Sequence, residues 1–297
     1  MLNRVLALLA AEGWFDSSRP FEKTINLTQG ACLWLLLTRD GVCDAYVKFS
    51  DCFDLQQEAQ RCAAASECYP SLAPRFVGYA RRDGIDVLVC RAVDYHALDP
   101  RQIRGPRASR SVFADLVGYF AAMRSARGPA GLGTASNAEF FDNLGQYFAS
   151  HPLASLARRW LGHSTVQRAT QLPPLPQHGD LALNNIGQTR LGAAVIFDWE
   201  DFGASCLPGL DLFTLELSMA GDAGRLLAGR ARHADGAQHF VRCACDAMQL
   251  DVGDYESLAP VYALVFRYLK RNYGPGVRER MDRLLLDLDQ QHSGLRQ

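Results

Sequence analysis

The chain has 297 residues, 48% of them hydrophobic and 21% charged, the balance of a soluble globular protein with room for one large core or two lobes. Its formal net charge is −1, so overall charge makes no case for nucleic acid or an anionic membrane surface as partner. Nine scattered cysteines with no C-x-x-C pair point to reduced thiols in a cytoplasm.

The chain opens M-L-N-R-V-L-A-L-L-A-A-E. This apolar run is short, lacks an A-x-A site, and reads as an amphipathic helix rather than a secretory leader. No segment reaches the ~20 apolar residues of a membrane span. Residues 25–37 read as strand, turn and strand, with Thr28-Gln29-Gly30 at the turn and Arg39-Asp40-Gly41 making the next one. Val42 to Phe49 is a third strand, ending A-Y-V-K-F and carrying Lys48. Standing alone, Lys48 is an ordinary solvent-facing lysine and the Gly30 turn an ordinary hairpin. Residues 54–66 read as a helix, with Leu55, Ala59, Cys62 and Ala63 at helical spacing and Glu58 among them. A loop and strand follow at 73–79, then a hairpin turn at Asp83-Gly84. The apolar strand Val87 to Cys90 leads into Arg91-Ala92-Val93.

Further on the pattern becomes helical. Val112, Leu116, Tyr119, Phe120 and Met123 share one face; Phe140, Phe141, Leu144, Tyr147 and Phe148 share another. Aromatic stripes at this spacing read as core. Pro173-Pro174-Leu175-Pro176 ends the helical pattern and leads rigidly into the most informative stretch, Gln177 to Asp201, Q-H-G-D-L-A-L-N-N-I-G-Q-T-R-L-G-A-A-V-I-F-D-W-E-D. His178 and Asp180 form an H-x-D, and Asn185 is the fifth residue after Asp180. Gly187 to Gly192 reads as a turn. Ala193 to Phe197 reads as a buried strand that delivers Asp198 at its end. Phosphoryl transfer needs a divalent ion to screen the phosphates and a carboxylate beside the attacking hydroxyl. Magnesium takes oxygen ligands, and Asn185 and Asp198 supply a neutral and an anionic one. Asp180 is left to orient an acceptor hydroxyl and take its proton. The spacing is that of the kinase catalytic loop, H-x-D-x-x-x-x-N with a downstream Asp.

The segment strongly resembles the aminoglycoside phosphotransferase and choline kinase-like family, small-molecule kinases with H-G-D-x-x-x-x-N, an apolar strand and D-W-E or D-F-E. The resemblance spans roughly residues 22–215 and is strongest at 178–200. It implies an α+β, two-lobed protein-kinase-like fold, with a small antiparallel β lobe at 1–93 and a larger, mainly helical lobe at 94–297. It implies ATP and magnesium as cofactors and a small-molecule hydroxyl as acceptor. Lys48 falls at the V-A-I-K position, whose ammonium reaches the α- and β-phosphates. Glu58 would hold that lysine. The Gly30 turn would cover the nucleotide phosphates, and the linker Arg91 to Val93 would offer its backbone to the adenine. His178 would brace the loop, and Asp211, in L-P-G-L-D-L, would be a helix cap or an anchor for it. Trp199-Glu200 stands where a protein kinase has Phe-Gly, and Glu200 is placed for an indirect part in metal binding.

Helices are expected at 212–219, 237–248, 256–273 and 277–292. From Asp211 to Gln297 there are twelve Asp or Glu and eleven Lys or Arg, a balance that does not favour a polycationic acceptor. Arg267, Lys270 and Arg271 read as a solvated basic helix face, the alternative being a face toward an anionic acceptor such as a sugar phosphate. A sugar or amino-alcohol hydroxyl is the default acceptor. Two rivals stand beside the kinase. One is a catalytically silent nucleotide-binding scaffold of the same fold. The other is a metal-dependent hydrolase with His178, Asp180 and Asp198 on one ion.

Overall fold

The computed structural model describes residues 1–16, 18–27, 33–99, 103, 110–126, 137–220 and 235–294. The N-terminal third forms an antiparallel sheet of five strands: β1 (Glu22–Leu27), β2 (Leu33–Arg39), β3 (Val42–Ser50), β4 (Phe76–Arg82) and β5 (Ile85–Arg91). Their spatial order is β1-β2-β3-β5-β4. Successive side chains of a strand point to opposite faces, and β3 uses both. Val47 and Phe49 join Leu35, Leu37, Val87 and Val89 in a core closed by Val5, Leu8 and Leu9 of helix α1 (Leu2–Ala11). Lys48, between them, therefore takes the other face. There Leu88 and Cys90 of β5 pack on Leu55 and on Ala59 of helix α2 (Gln56–Cys68).

The rest of the described chain is mainly helical. Its helices are α3 (Arg110–Ala122), α4 (Asn137–Ala149), α5 (Ala154–Trp160), α6 (His163–Gln171), α7 (Leu210–Ala220), α8 (Asp235–Met248), α9 (Val252–Ser257), α10 (Ala259–Leu269) and α11 (Pro275–Gly294). They enclose one large core that includes Tyr119, Phe120, Phe148, Phe202, Phe213, Tyr255 and Tyr262. Against it lies a second antiparallel sheet, β6 (Tyr95–Ala97), β7 (Ile186–Thr189) and β8 (Ala194–Ile196), in that order. The architecture is thus a small antiparallel lobe and a larger helical one.

Several expectations need correction. Residues 187–189 belong to β7, so only residues 190–192 turn. The short elements β6, α5 and α6 were not foreseen. The single helix expected at 256–273 is two: α9 ends at Ser257 and α10 restarts with Pro260 in its first turn. Proline lacks the N–H that a continuous helix would need there, but costs nothing at a helix start. The helix then tightens into a 3₁₀ turn at Lys270–Asn272. Gly30 lies outside the described residues.

Trp14, following α1, packs closely against Gly78 of β4, where a Cβ would sit 2.3 Å from the indole. Gly78→Ala should therefore destabilise the protein by about 1–3 kcal/mol in urea unfolding. Added to Trp14→Ala, the same change should cost little more, because the clash partner has gone.

Candidate active site

A cleft of about 650 Å³ runs between the small sheet and the helical lobe, with Trp34, Tyr46, Leu88, Asn185, Phe197 and Asp198 among its walls. Trp34 stacks on Tyr46 at 4.0 Å, and Tyr95 packs on Phe197 at 4.2 Å. Arg91 and Val93 also line it. The Arg91 guanidinium is directed to Asp44 at 2.7 Å, and the Arg91 and Ala92 N–H groups bond Arg75 O and Asp44 O.

Lys48 is buried, and its Nζ donates to both oxygens of Glu58, at 2.8 and 2.7 Å. Glu200 Oε2 approaches the same ammonium at 3.4 Å. Burial works against the Lys48 charge, but Glu58, Glu200 and Asp198 outweigh it and hold the ammonium above its ordinary range. Burial pushes the Glu58 carboxyl up while Lys48 pulls it down. With both oxygens on one ammonium, the geometry supports the ionised pair.

The loop that carries Asp180 is tied from beneath. Asp211, in the first turn of α7, has no exposed surface and accepts three hydrogen bonds: Tyr119 Oη at 2.6 Å, His178 N at 2.6 Å and Gly179 N at 2.8 Å. Its carboxyl is raised by burial, against the pull of these donors. The anchor reading of Asp211 thus describes its contacts. His178 is also fully buried, and both ring nitrogens are engaged: Nε2 donates to Phe197 O at 2.7 Å and Nδ1 accepts from Asp180 N at 3.3 Å. Only the neutral Nε2–H tautomer fits both bonds. Gly179 has φ +89°, and a Cβ on it would meet Asp201 Cβ at 2.8 Å, so the middle of H-G-D admits no side chain.

Asn185 closes the loop on itself. Its Nδ2 donates to Asp180 O at 2.9 Å, and its carbonyl accepts Phe197 N at 2.8 Å. That second bond ties the loop to the end of β8 and sets Asn185 beside Asp198. Asp198 is left-handed, with φ 63° and ψ 56°, a conformation that Asp tolerates better than most side chains. It is exposed to the cleft, so the surrounding walls, rather than a covering residue, impair its hydration. That loss and the nearby Glu200, Glu58 and Asp180 push its carboxyl up to about 7, against Lys48. Crowded anionic oxygens with a neutral amide beside them are a donor set that suits magnesium.

Asp180 Oδ2 lies 2.9 Å from Lys270 Nζ. This is a correction to the expected solvated face, since Arg267 and Lys270 are each 3% exposed. Arg267 bonds Asp282, Tyr147 and His151, Lys270 enters the site, and Arg271 lies over the Tyr268 ring. The signal was in the sequence: V-Y-A-L-V-F-R-Y-L-K has almost no polar face, and a helix apolar all round is buried, so its cations must be paired.

No protein-family model matches the chain, and no curated protein matches it in sequence. Solved structures do. A choline kinase from Streptococcus pneumoniae, LicA, superposes with a TM-score of 0.57 at 13% identity, over 96% of this chain and 98% of that one. The fold is that of choline kinases and aminoglycoside phosphotransferases. A streptomycin–ATP complex of APH(2'')-IIa gives a TM-score of 0.60 at 12% identity, over 96% of this chain and 95% of that one. The aminoglycoside phosphotransferase APH(4)-Ia with AMP-PNP and hygromycin B gives 0.57 at 12% identity, over 95% and 97%.

Asp211→Ala should take the acceptor from the buried Tyr119 hydroxyl and Gly179 N–H, and leave His178 N with only its longer bond to Tyr119 Oη at 3.3 Å. A loss of about 3–5 kcal/mol is expected in denaturant unfolding, whereas Asp289→Ala, whose partner Arg159 stands at the surface, should cost less.

Proposed function

We propose that this chain is an ATP-dependent phosphotransferase that moves the γ-phosphate to a hydroxyl of a small molecule. One observation carries the proposal: Glu58, Asn185 and Asp198 line one cleft between the two lobes, Glu58 holds Lys48 there, and the anchored Asp180 adjoins it through its bond from Asn185 and its electrostatic effect on Asp198. The ATP and AMP-PNP complexes among the structural neighbours support a nucleotide as its occupant. In this reading residues 1–93 form the nucleotide-binding lobe and 94–297 the catalytic and acceptor-binding lobe. Lys48, held by Glu58, meets the α- and β-phosphates, and the strip at Arg91 to Val93 borders the base. Asn185 and Asp198 would hold magnesium, which when bound screens the phosphate charge. Asp180 orients the acceptor hydroxyl and takes its proton as the oxygen–phosphorus bond forms and the bond to the β-phosphate oxygen breaks. His178 is a brace.

A specific observation weighs against the hydrolase. That mechanism needs a His178 nitrogen on the metal, and both are engaged by Phe197 O and Asp180 N. Among the described residues no group of three His, Cys, Asp or Glu side chains converges on a metal position. No described helix is long and apolar enough to cross a membrane.

Two measurements test the roles. Calorimetry with AMP-PNP and magnesium should show affinity falling at least about tenfold in Lys48→Ala but changing less than about threefold in Asp180→Asn, since only Lys48 meets groups present before the acceptor binds. Equal losses would reject the assignment. A screen of ATP consumption over sugars, amino sugars, amino alcohols and antibiotics, with mass spectrometry of products, should identify the acceptor. With that acceptor, Asp180→Asn should lower kcat and kcat/KM together by ~10²–10⁴-fold.

A further inference from the structure

The anchored loop fixes the Asp180 backbone but not its carboxylate. Asp211 binds the amides of His178 and Gly179, and Asn185 binds the Asp180 carbonyl. None of these bonds reaches the Asp180 side chain, which is turned by two free torsions. What holds it comes from far along the chain. Lys270 sits in the 3₁₀ turn after α10 and is 3% exposed. An ammonium has three N–H donors. Those of Lys270 have three partners: Asp180 Oδ2 at 2.9 Å, Asp201 Oδ2 at 2.9 Å and Tyr273 Oη at 3.2 Å. The Tyr273 hydroxyl donates to Glu200 Oε1, and the other Glu200 oxygen meets Lys48. The Tyr273 ring lies 4.5 Å from the ammonium.

We propose that Lys270 is a positioning residue for phosphoryl transfer: by holding Oδ2 of Asp180 against Asp201, it presents Oδ1 to the acceptor hydroxyl. The inference rests on the kinase reading of the cleft. With its three donors taken, Lys270 acts through Asp180 and not by binding the acceptor itself. Asp201 belongs to the arrangement, since it packs against Gly179 and so references Lys270 to the same loop. The linkage through Tyr273 and Glu200 sets Asp180 and Lys48, on opposite sides of the reacting phosphate in this reading, in one continuous chain of contacts.

A double-mutant cycle tests this, because a residue that acts only through Asp180 has nothing left to do once that carboxylate is gone. Turnover is read as ADP formed from Mg-ATP, with water as acceptor and with any acceptor the product screen identifies. Lys270→Met keeps the length and removes the charge. It should lower turnover about tenfold or more, with the affinity for Mg-AMP-PNP changing less than about threefold. Lys270→Arg, whose guanidinium can still bridge two carboxylates, should recover part of the loss. In an Asp180→Asn background Lys270→Met should change turnover less than about twofold. The same loss factor in both backgrounds would mean a purely structural lysine and would overturn the proposal. The cycle is also read on urea unfolding, which needs no turnover. Non-additive midpoint shifts for Lys270→Met and Asp180→Asn are expected, and additive shifts would overturn the bridge. If the wild-type protein formed no ADP with any acceptor, the kinase reading would fall, and the unfolding cycle would still decide whether Lys270 holds Asp180.

Discussion

A carboxylate without contact with water holds this site together. Asp211 is costly to bury, and the cost is offset by three donors that converge on it, His178 N also reaching the Tyr119 hydroxyl at 3.3 Å. Two of those donors are consecutive amides of the loop that carries Asp180, and the third is a tyrosine from α3. Remove the carboxylate and three separate segments lose their common point. The left-handed turn at Gly179 has meaning only in this setting, because it aims two amides at one side chain while Asp201 closes the far side.

From that point the geometry spreads by short steps. His178 stands on the anchored amide and donates its Nε2–H to Phe197 O, fixing the residue just before Asp198. Asn185 bonds the Asp180 carbonyl on one side and Phe197 N on the other. The two groups assigned to magnesium are therefore held through the same loop that presents Asp180. This is why a left-handed Asp198 persists: both strands of contact that enclose it are determined by other residues.

The two lobes meet through charge at this level, beside the apolar contact of Tyr69 with Tyr119, Trp199 and Phe202. Glu58 on α2 and Glu200 after β8 share Lys48, and Arg61, one turn beyond Glu58, donates to Glu200 O. Glu200 is held below its ordinary range: burial opposes this, but Lys48, the Tyr273 hydroxyl and Lys270 outweigh it. Glu200 thus has a defined place, between the two buried lysines, and the departure from Phe-Gly gains a physical account. Low-dielectric surroundings make such contacts strong when all are satisfied and expensive when one is lost.

Much of this was legible in the chain itself. The alternation in A-Y-V-K-F puts Lys48 on the face opposite Val47 and Phe49, and that follows from the strand period alone. The ordered set His178, Asp180, Asn185 and Asp198 follows from one loop and one short strand, and local chain geometry brings such neighbours together wherever the segment folds. The position of Pro260 was enough to divide the C-terminal helix, although the division was not read from it. What only the tertiary structure decided is the destination of long side chains from remote segments. Lys270, Tyr273 and Asp201 carry no spacing that relates them to Asp180. Their meeting depends on where α10 ends against the loop that carries Asp180, a consequence of core packing around Tyr255 and Tyr262. Periodicity records which face of a helix is apolar, but it holds no information about which carboxylate a buried ammonium will find.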